Sequence, residues 1–418
     1  MPIPWKKPRL RGCVRLASLQ RIEKMLGNIV CAFLSVPALL LRHQALPDPR
    51  NVKKVLVVKF FGIGSLVLAT PFFRTARKTF PKAEIHLLTL SSNNDIIKMI
   101  PDVDHVHFVH LGINVVTAVL AFVACLFRVN RGGFDVLIDM EFYTRASSVV
   151  TFASWAPARV GYHSRGVYRG AIHNFRVPFN IYWHVTRNFI GLLAPFGVEV
   201  PATAAAPRLK IPADAAAQSA EVLAPFGGKG VRYLIVNVNS GELAFERRWL
   251  PDRFADLTSR LCGKYDLFAL FVGSRGERPY VETVVERVVE AGGRAHNLAG
   301  DLTLECLIEL CRGSVLTISN DSGPVHLAAA AEARVVAFFG PETPVLYGPI
   351  GDNHLVFYEH PACSPCITVE YGKQLDCWHQ TPFCQAAITV DDVMRRIENH
   401  YGPILQTESA GFDKAAGK

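Results

Sequence analysis

Apolar residues fall along this chain in two alternating rhythms. Short unbroken runs rich in Val, Ile, Leu and Phe read as strands buried on both faces. Longer stretches with apolar residues three and four apart read as helices. In the first half the expected strands are Lys54–Phe60, Glu84–Leu90, His105–His110 and Phe134–Met140. Helices are expected from near Leu66 to before Pro81, near Asn94–Met99, through Ser147–Ala153 and at Tyr182–Leu193. In the second half, strands at Arg232–Val238, Leu267–Val272, Val315–Ser319 and Arg334–Phe339 alternate with helices. Those helices are Ala213–Leu223, Pro251–Cys262, Tyr280–Ala291, Leu302–Cys311 and Pro324 to about Ala333. Residues 194–212, with Pro195, Pro201, Pro207 and Pro212 among small residues, read as a linker. This pattern predicts an α/β protein of two doubly wound domains, 51–197 and 213–400, facing a cleft and joined by a linker over 198–212 that lets them close. Residues 401–418 read as a tail whose small, polar end is disordered.

Two apolar stretches do not fit that alternation. Leu26–Leu41 is uncharged but only sixteen residues long, with Asn28 and Pro37 inside it. Val115–Phe127 is hydrophobic all round. Neither reaches the roughly twenty residues of a spanning helix. The second is predicted to be a buried crossover helix, a lipid-facing surface being the alternative.

Charge separates the first stretch from the rest. Residues 1–54 hold eleven Lys and Arg against Glu23 and Asp48, which accounts for the whole net charge of +9. The remaining chain is neutral, which speaks against a nucleic-acid partner. Basic residues flanking an apolar run predict that 1–50 lie on an anionic membrane surface. An uncleaved signal anchor and an extra helix packed on the body are the other readings. Cys13, Cys31, Cys125, Cys262, Cys306 and Cys311 are scattered through apolar or helical contexts and read as core thiols. That argues for a reducing compartment, hence a cytoplasmic protein peripheral on the inner face of the membrane.

The most informative stretch is 315–351. Its apolar strand stops at Asn320-Asp321-Ser322-Gly323, and Pro324 sits where a first helical residue would. Asp321 or Ser322 is expected to cap the helix. A strand, tight turn, helix and second strand make a βαβ unit, whose helix N-terminus offers free N–H groups and positive dipole to a phosphate. The ordered run Asp321-Ser322-Gly323-Pro324-Val325-His326-Leu327-Ala328, then Phe339-Gly340-Pro341-Glu342-Thr343-Pro344 and Gly348-Pro349, resembles the donor-binding signature of glycosyltransferase family 9. This is the family of the ADP-heptose:lipopolysaccharide heptosyltransferases. The resemblance covers roughly Val52 to His400. It implies a GT-B fold of two Rossmann-like domains, metal-independent inverting transfer, a nucleotide-sugar donor such as ADP-heptose, and a lipid-linked or lipopolysaccharide acceptor.

In the first half, Lys59-Phe60-Phe61-Gly62-Ile63-Gly64-Ser65 resembles the family's N-terminal motif, with Gly62 and Gly64 forming the acceptor-side loop. The family usually has Asp, the general base, where this chain has Ser65. A serine hydroxyl cannot take a proton at neutral pH unless it is itself activated. Glu141 and Asp139, at the end of the strand through 134–140, are the replacement carboxylates; pairing of Glu141 with Arg145 is the competing reading. If no carboxylate substitutes, the chain becomes a donor-binding or assembly protein without turnover.

In the second half, Asn239 and Ser240 end a strand, and Arg247 matches a family Lys that reaches the donor diphosphate, with Leu250 inserted before Pro251. Glu277 is a candidate for ribose hydroxyls or a helix-start residue, and His326 for the diphosphate or sugar. Cys363, Cys366, Cys377 and Cys384 have the residue types of a structural zinc site, with His379 nearby; disulfides and free thiols are the alternatives. No Asp-x-Asp element stands out for a catalytic cation, and no cofactor is expected.

Overall fold

The computed structural model of the chain describes residues 16–40, 45–110, 114–142, 144–163, 167–241, 245–368, 377–379 and 381–406. The tail end expected to be disordered lies outside these residues. The chain divides into two compact units: among the described residues the first runs to Lys210 and takes in Ile367 and Thr368, and the second holds Ile211–Cys366 and the residues from Cys377 onward.

The N-terminal unit has strands β1 (Lys54–Val58), β2 (Glu84–Leu90), β3 (His105–Val109), β4 (Val136–Asp139), β5 (Ala158–His163) and β6 (Phe175–Pro178). Its helices are α1 (Leu16–Leu40), α2 (Ile63–Leu68), α3 (Thr70–Thr79), α4 (Asn94–Ile97), α5 (Val115–Asn130), α6 (Ala146–Ala153) and α7 (Val185–Gly191). The C-terminal unit has β7 (Tyr233–Asn237), β8 (Phe268–Phe271), β9 (Ala295–Asn297), β10 (Leu316–Asn320), β11 (Val335–Phe339) and β12 (His354–Tyr358). Its helices are α8 (Ala215–Leu223), α9 (Pro251–Tyr265), α10 (Arg278–Glu290), α11 (Leu304–Gly313), α12 (Gly323–Ala330), α13 (Pro344–Tyr347), α14 (Phe383–Ala387) and α15 (Val390–Gln406).

Both sheets are wholly parallel and share one topology: β3-β2-β1-β4-β5-β6 and β12-β11-β10-β7-β8-β9. In each unit the chain steps outward over three strands, then crosses back to the other side of its first strand. The connections leaving the two central strands therefore diverge, and a crevice opens at their carboxyl ends. In the N-terminal unit those ends are Val58 and Asp139, which are register partners; in the C-terminal unit Asn237 lies opposite Ser319. The central strands β4, β7, β10 and β11 are buried at every residue, as their unbroken apolar runs require.

The structure corrects the expectation that Val115–Phe127 is buried. Helix α5 covers the sheet with one face only, where Cys125 and Val129 pack with Leu88, Val109, Phe134 and Val150. Its outer face leaves Val116, Val119, Leu120 (63 % exposed), Val123 and Phe127 uncovered. A crossover helix has one sheet to cover, so apolar residues all round it cannot all be buried. Helix α1 behaves alike. Cys31 and Ala38 pack on Ile172 with Leu34 and Phe152, while Met25, Leu26, Ile29, Phe33 (75 % exposed) and Val36 face outward. No helix among the described residues is long and apolar enough to cross a membrane. Helix α15 continues past 400 to Gln406, so the first six residues of the expected tail are helical, and Tyr401 and Leu405 among them are buried.

Candidate active site

In the C-terminal unit the loops after β7 and β10 are stitched together by amide side chains. Asn237 Nδ2 donates to Ser319 Oγ (3.0 Å), Ser322 Oγ (2.9 Å) and the Asn239 carbonyl (3.2 Å). Asn320 Nδ2 donates to the Val238 carbonyl (2.9 Å), and its Oδ1 accepts the Trp249 N–H (2.7 Å). Ser322 Oγ in turn donates to the Asn320 carbonyl (3.0 Å). This corrects the expected cap: Ser322 holds the N-cap position in extended backbone, but its hydroxyl is turned away, and α12 begins with no side-chain cap. Pro324 sits in the first turn as expected, beside Gly323, and His326 is buried one turn on.

Arg247 reaches across this mouth. Its Nη1 lies 3.4 Å from Asp321 Oδ2 and its Nη2 donates to the Ser240 carbonyl at 2.5 Å. Trp249 fixes the turn: its indole stacks on Phe338 at 4.2 Å and its Nε1 donates to the Ile388 carbonyl. The inserted Leu250 becomes the N-cap residue of α9, with Pro251 opening the helix. Arg248 is buried between the rings of Phe245 and Tyr280, and burial pushes its pKa down. Among the described residues, Arg247 Nε, Arg248 Nε and Asn239 Oδ1 are buried here without a hydrogen-bond partner. Asn239 also crowds Gly273, where a β-carbon would come within 2.6 Å of its Nδ2. Buried polar atoms are nearly always paired, so such orphans at a strand end stand out. Glu277 Oε2 instead accepts from the N–H (2.9 Å) and Oγ (2.8 Å) of Ser274, closing a capping box ahead of α10.

The N-terminal crevice is built from charges that satisfy one another. Glu141 Oε1 accepts from Lys59 Nζ (2.9 Å) and from the N–H groups of Phe60 (2.7 Å) and Phe61 (3.2 Å). Its second oxygen, Oε2, receives no hydrogen bond among the described residues. The competing partner Arg145 is engaged elsewhere, its Nε donating to Asn28 on α1 at 3.0 Å. Asp139 is wholly buried. Its Oδ1 accepts the Glu141 N–H (3.0 Å), and its Oδ2 meets Ser147 Oγ (2.8 Å), His173 Nε2 (3.1 Å) and Arg169 Nη1 (3.2 Å). Burial alone would raise the pKa of this carboxyl; Arg169, His173 and Ser147 outweigh it and hold it below the ordinary value. Asp139 thus acts as a buried counter-ion. Gly62 takes a left-handed φ of 92° as the N-cap of α2, Gly64 is buried, and Ser65 stands in the first turn close over Gly62.

Lys59, Arg169, His173, Asn237 and Asn320 were not singled out as site residues from the sequence. Lys59 opens the glycine motif and Asn320 precedes Asp321, so proximity to a motif was their signal. Arg169 and His173 sit in an aperiodic stretch that gave none.

The described cysteines are all free thiols. Cys384 and Cys366 flank the end of β11: the Cys366 N–H donates to the Pro341 carbonyl (2.9 Å), and Cys384 Sγ abuts Gly340. Burial, helped by the neighbouring thiols, pushes Cys366 up to about 11 and Cys384 up to about 12. The four cysteines are near neighbours, but among the described residues no three of their sulfurs lie within 4.8 Å of one another. Among the described residues the only metal-ligating atoms of three or more His, Cys, Asp or Glu within 4.8 Å of one another belong to Glu84, His86 and His105.

The sequence model of glycosyltransferase family 9 (heptosyltransferase) matches residues 124–379. This chain is a member of that family. It is 22 % identical over 311 residues to lipopolysaccharide heptosyltransferase 2 of Salmonella typhimurium, covering 71 % of this chain and 85 % of the relative. The structure of the Escherichia coli ADP-heptose lipopolysaccharide heptosyltransferase II superposes with TM-score 0.64 at 17 % identity, over 84 % of this chain and 99 % of that one. The iron-containing dodecameric glycosyltransferase TibC of enterotoxigenic E. coli reaches TM-score 0.51 at 13 % identity, over 84 % of this chain and 77 % of that one. The fold is GT-B, and the protein is a glycosyltransferase of family 9 related to the lipopolysaccharide heptosyltransferases.

Proposed function

We propose that this glycosyltransferase moves a heptose from ADP-heptose to a lipopolysaccharide core sugar with inversion, while residues 1–50 hold it on the inner face of the cytoplasmic membrane. The observation that carries the donor half is the open polar mouth of the C-terminal unit. An uncapped helix start, Arg247 Nε and Asn239 Oδ1 offer groups that a nucleotide diphosphate satisfies. Gly323, Pro324, Asp321, Ser322, Ser240 and His326 frame that mouth. Arg247 and the α12 dipole offset the charge that grows on the diphosphate as the sugar leaves, so the residues themselves supply the electrophilic assistance.

Glu141, rather than Asp139 or Ser65, is the base. It is anchored through Oε1, and Oε2 is left to take the acceptor hydroxyl proton. The acceptor oxygen attacks the anomeric carbon as the bond to the diphosphate breaks, and ADP departs with the electron pair. With this carboxylate in place, transfer is favoured over donor binding alone.

The deciding experiment supplies purified protein with a panel of nucleotide sugars and lipopolysaccharide truncated before its heptose. Transfer from ADP-heptose, lost in Glu141→Gln and kept in Ser65→Ala, is the expected result. Transfer that persists in Glu141→Gln removes the base assignment. Transfer from another nucleotide sugar alone removes the donor assignment. Activity that survives exhaustive chelation is expected; loss restored by iron or zinc would overturn metal independence.

A further inference from the structure

Glu84, His86 and His105 bring three metal-ligating atoms within 4.8 Å of one another, in a place that neither the donor groups nor the base uses. The strands themselves arrange this. β2 and β3 run parallel with His86 opposite His105, and Glu84 stands two residues before His86, so all three side chains project from one face of the sheet. Glu84 opens β2 and His105 opens β3, which puts the triad at the amino ends of the strands. Glu141 follows β4, at the other end of the same sheet.

The distances suit a small divalent ion. Two ligand atoms held about 2.0–2.1 Å from a tetrahedral zinc lie about 3.3–3.4 Å apart. His86 Nε2 is 3.3 Å from Glu84 Oε2, and His105 Nε2 is 4.0 Å from the same oxygen. The Glu84 and His105 side chains are both 52 % exposed. A turn of either closes the longer gap, and their exposure gives the ion a way in and leaves a position for water. The His86 and His105 rings already stack, with centroids 4.6 Å apart.

The surroundings of the triad fit the same ion. His86 is buried and packed edge-on against Phe134, and its Nδ1 meets His107 Nε2 at 3.0 Å. A ligating imidazole has its second nitrogen held in this way, because that bond fixes the tautomer that frees Nε2 for the metal. Lys54 is the register neighbour of Glu84 on β1, yet no Lys or Arg pairs with the Glu84 carboxylate among the described residues. Its described partners are the two imidazoles. Two neutral imidazoles and one carboxylate suit zinc, copper, nickel or iron(II), whereas calcium and magnesium take oxygen ligands.

We propose that Glu84, His86 and His105 bind one divalent transition-metal ion, with zinc as the type, and that the ion staples the edge strand β3 to β2. The assignment is independent of the donor, the acceptor and the base. It is also separate from the cysteines near the end of β11, since no thiol belongs to the triad. Without the ion, His86 and His107 answer to acid as free side chains.

The test titrates the chelator-stripped full chain with zinc chloride by calorimetry and with cobalt(II) by absorbance. Glu84→Gln and His105→Ala, both at exposed positions, are each expected to lose one equivalent of zinc that the wild type binds with micromolar affinity. Cys363→Ser combined with Cys366→Ser keeps that equivalent, and its cobalt form shows no thiolate charge-transfer band. His107→Gln weakens it about tenfold. Zinc slows hydrogen exchange in β2 and β3 of the wild type and not of His105→Ala. Zinc binding that is unchanged in Glu84→Gln and His105→Ala overturns the proposal, as does no binding up to about a hundredfold above the micromolar range. A thiolate band on the equivalent those variants lose, or exchange in β2 and β3 that ignores bound zinc, overturns it as well.

Discussion

The two halves of this chain have the same strand order and crossing point, yet their crevices are filled in opposite ways. At the end of β1 and β4, Lys59 meets Glu141, and Arg169 and His173 meet Asp139, all buried charge pairs. At the end of β7 and β10, amides tie the loops together, but Arg247 Nε and Asn239 Oδ1 have no partners among the described residues. The doubly wound fold determines where a site opens. Whether the protein closes that opening with its own charges or leaves it for a ligand is decided by a few side chains. The N-terminal crevice holds a preset carboxylate; the C-terminal one holds the polar groups assigned above to the proposed donor.

The sharpest way to break this contrast is Lys59→Met. It leaves Glu141 buried without its cation, and removing one partner of a buried pair costs roughly 3–5 kcal/mol. Urea unfolding should show that loss, and adding Glu141→Gln should restore most of it. A cost under about 1 kcal/mol would mean that the two backbone N–H groups alone satisfy the carboxylate.

The same kind of change on the other side should leave stability nearly untouched and fall on binding. Arg247→Ala removes the charged fork assigned to the proposed diphosphate, worth about 2 kcal/mol or roughly thirtyfold in ADP affinity. Calorimetric titration with ADP measures it, and Arg247→Lys should recover part. An unfolding midpoint that drops as far as that of Lys59→Met would place Arg247 among the closed pairs instead.

A smaller effect is expected where the N-terminal unit carries a wall for which the twin topology has no counterpart. Gly170→Ala puts a β-carbon into Ser35 and forces a left-handed residue, costing about 1–2 kcal/mol. Hydrogen exchange in α1 should rise while exchange in β7 and β10 stays as it was. Unchanged exchange in α1 would show that the helix is held by Cys31, Ala38 and Asn28 alone.

Much of this was legible from residue order. Eight strands follow from apolar runs, because a parallel sheet buried on both faces leaves a near-continuous hydrophobic signature. The turn after β10 stands out in the sequence because Asn320 to His326 are consecutive, whereas Asn237, Asn239 and Arg247, which meet it, lie some eighty residues earlier in the chain. Strands β5 and β6 were missed because the stretch between them is aromatic and irregular. The closed crevice was not legible at all: Lys59 and Glu141 are 82 residues apart, and nothing local announces their pairing. Helix α5 was misread for a related reason, since an all-apolar helix carries no polar stripe to say which face stays outside.

The smallest effect separates the units by acid response. His107 on β3 stacks on His86, with His86 Nδ1 3.0 Å from His107 Nε2. Burial first, then His86, Arg128 and His105, lower its pKa from 6.5 to about 4. Between those values the unfolded chain binds a proton at this residue that the folded chain refuses. Stability is therefore full above 6.5 and falls as pH drops toward about 4. His86, shifted down mainly by burial, adds in the same sense, whereas Asp139, held low, stays ionised through the interval. In the C-terminal unit burial also lowers His354, so the readout must resolve the units. Hydrogen exchange of β2 and β3 across this interval should quicken with acid in the wild type and much less in His107→Gln. An identical acid slope in the two proteins would show that the histidine stack is already open to solvent protons, and that the N-terminal unit is tuned for its closed carboxylates alone.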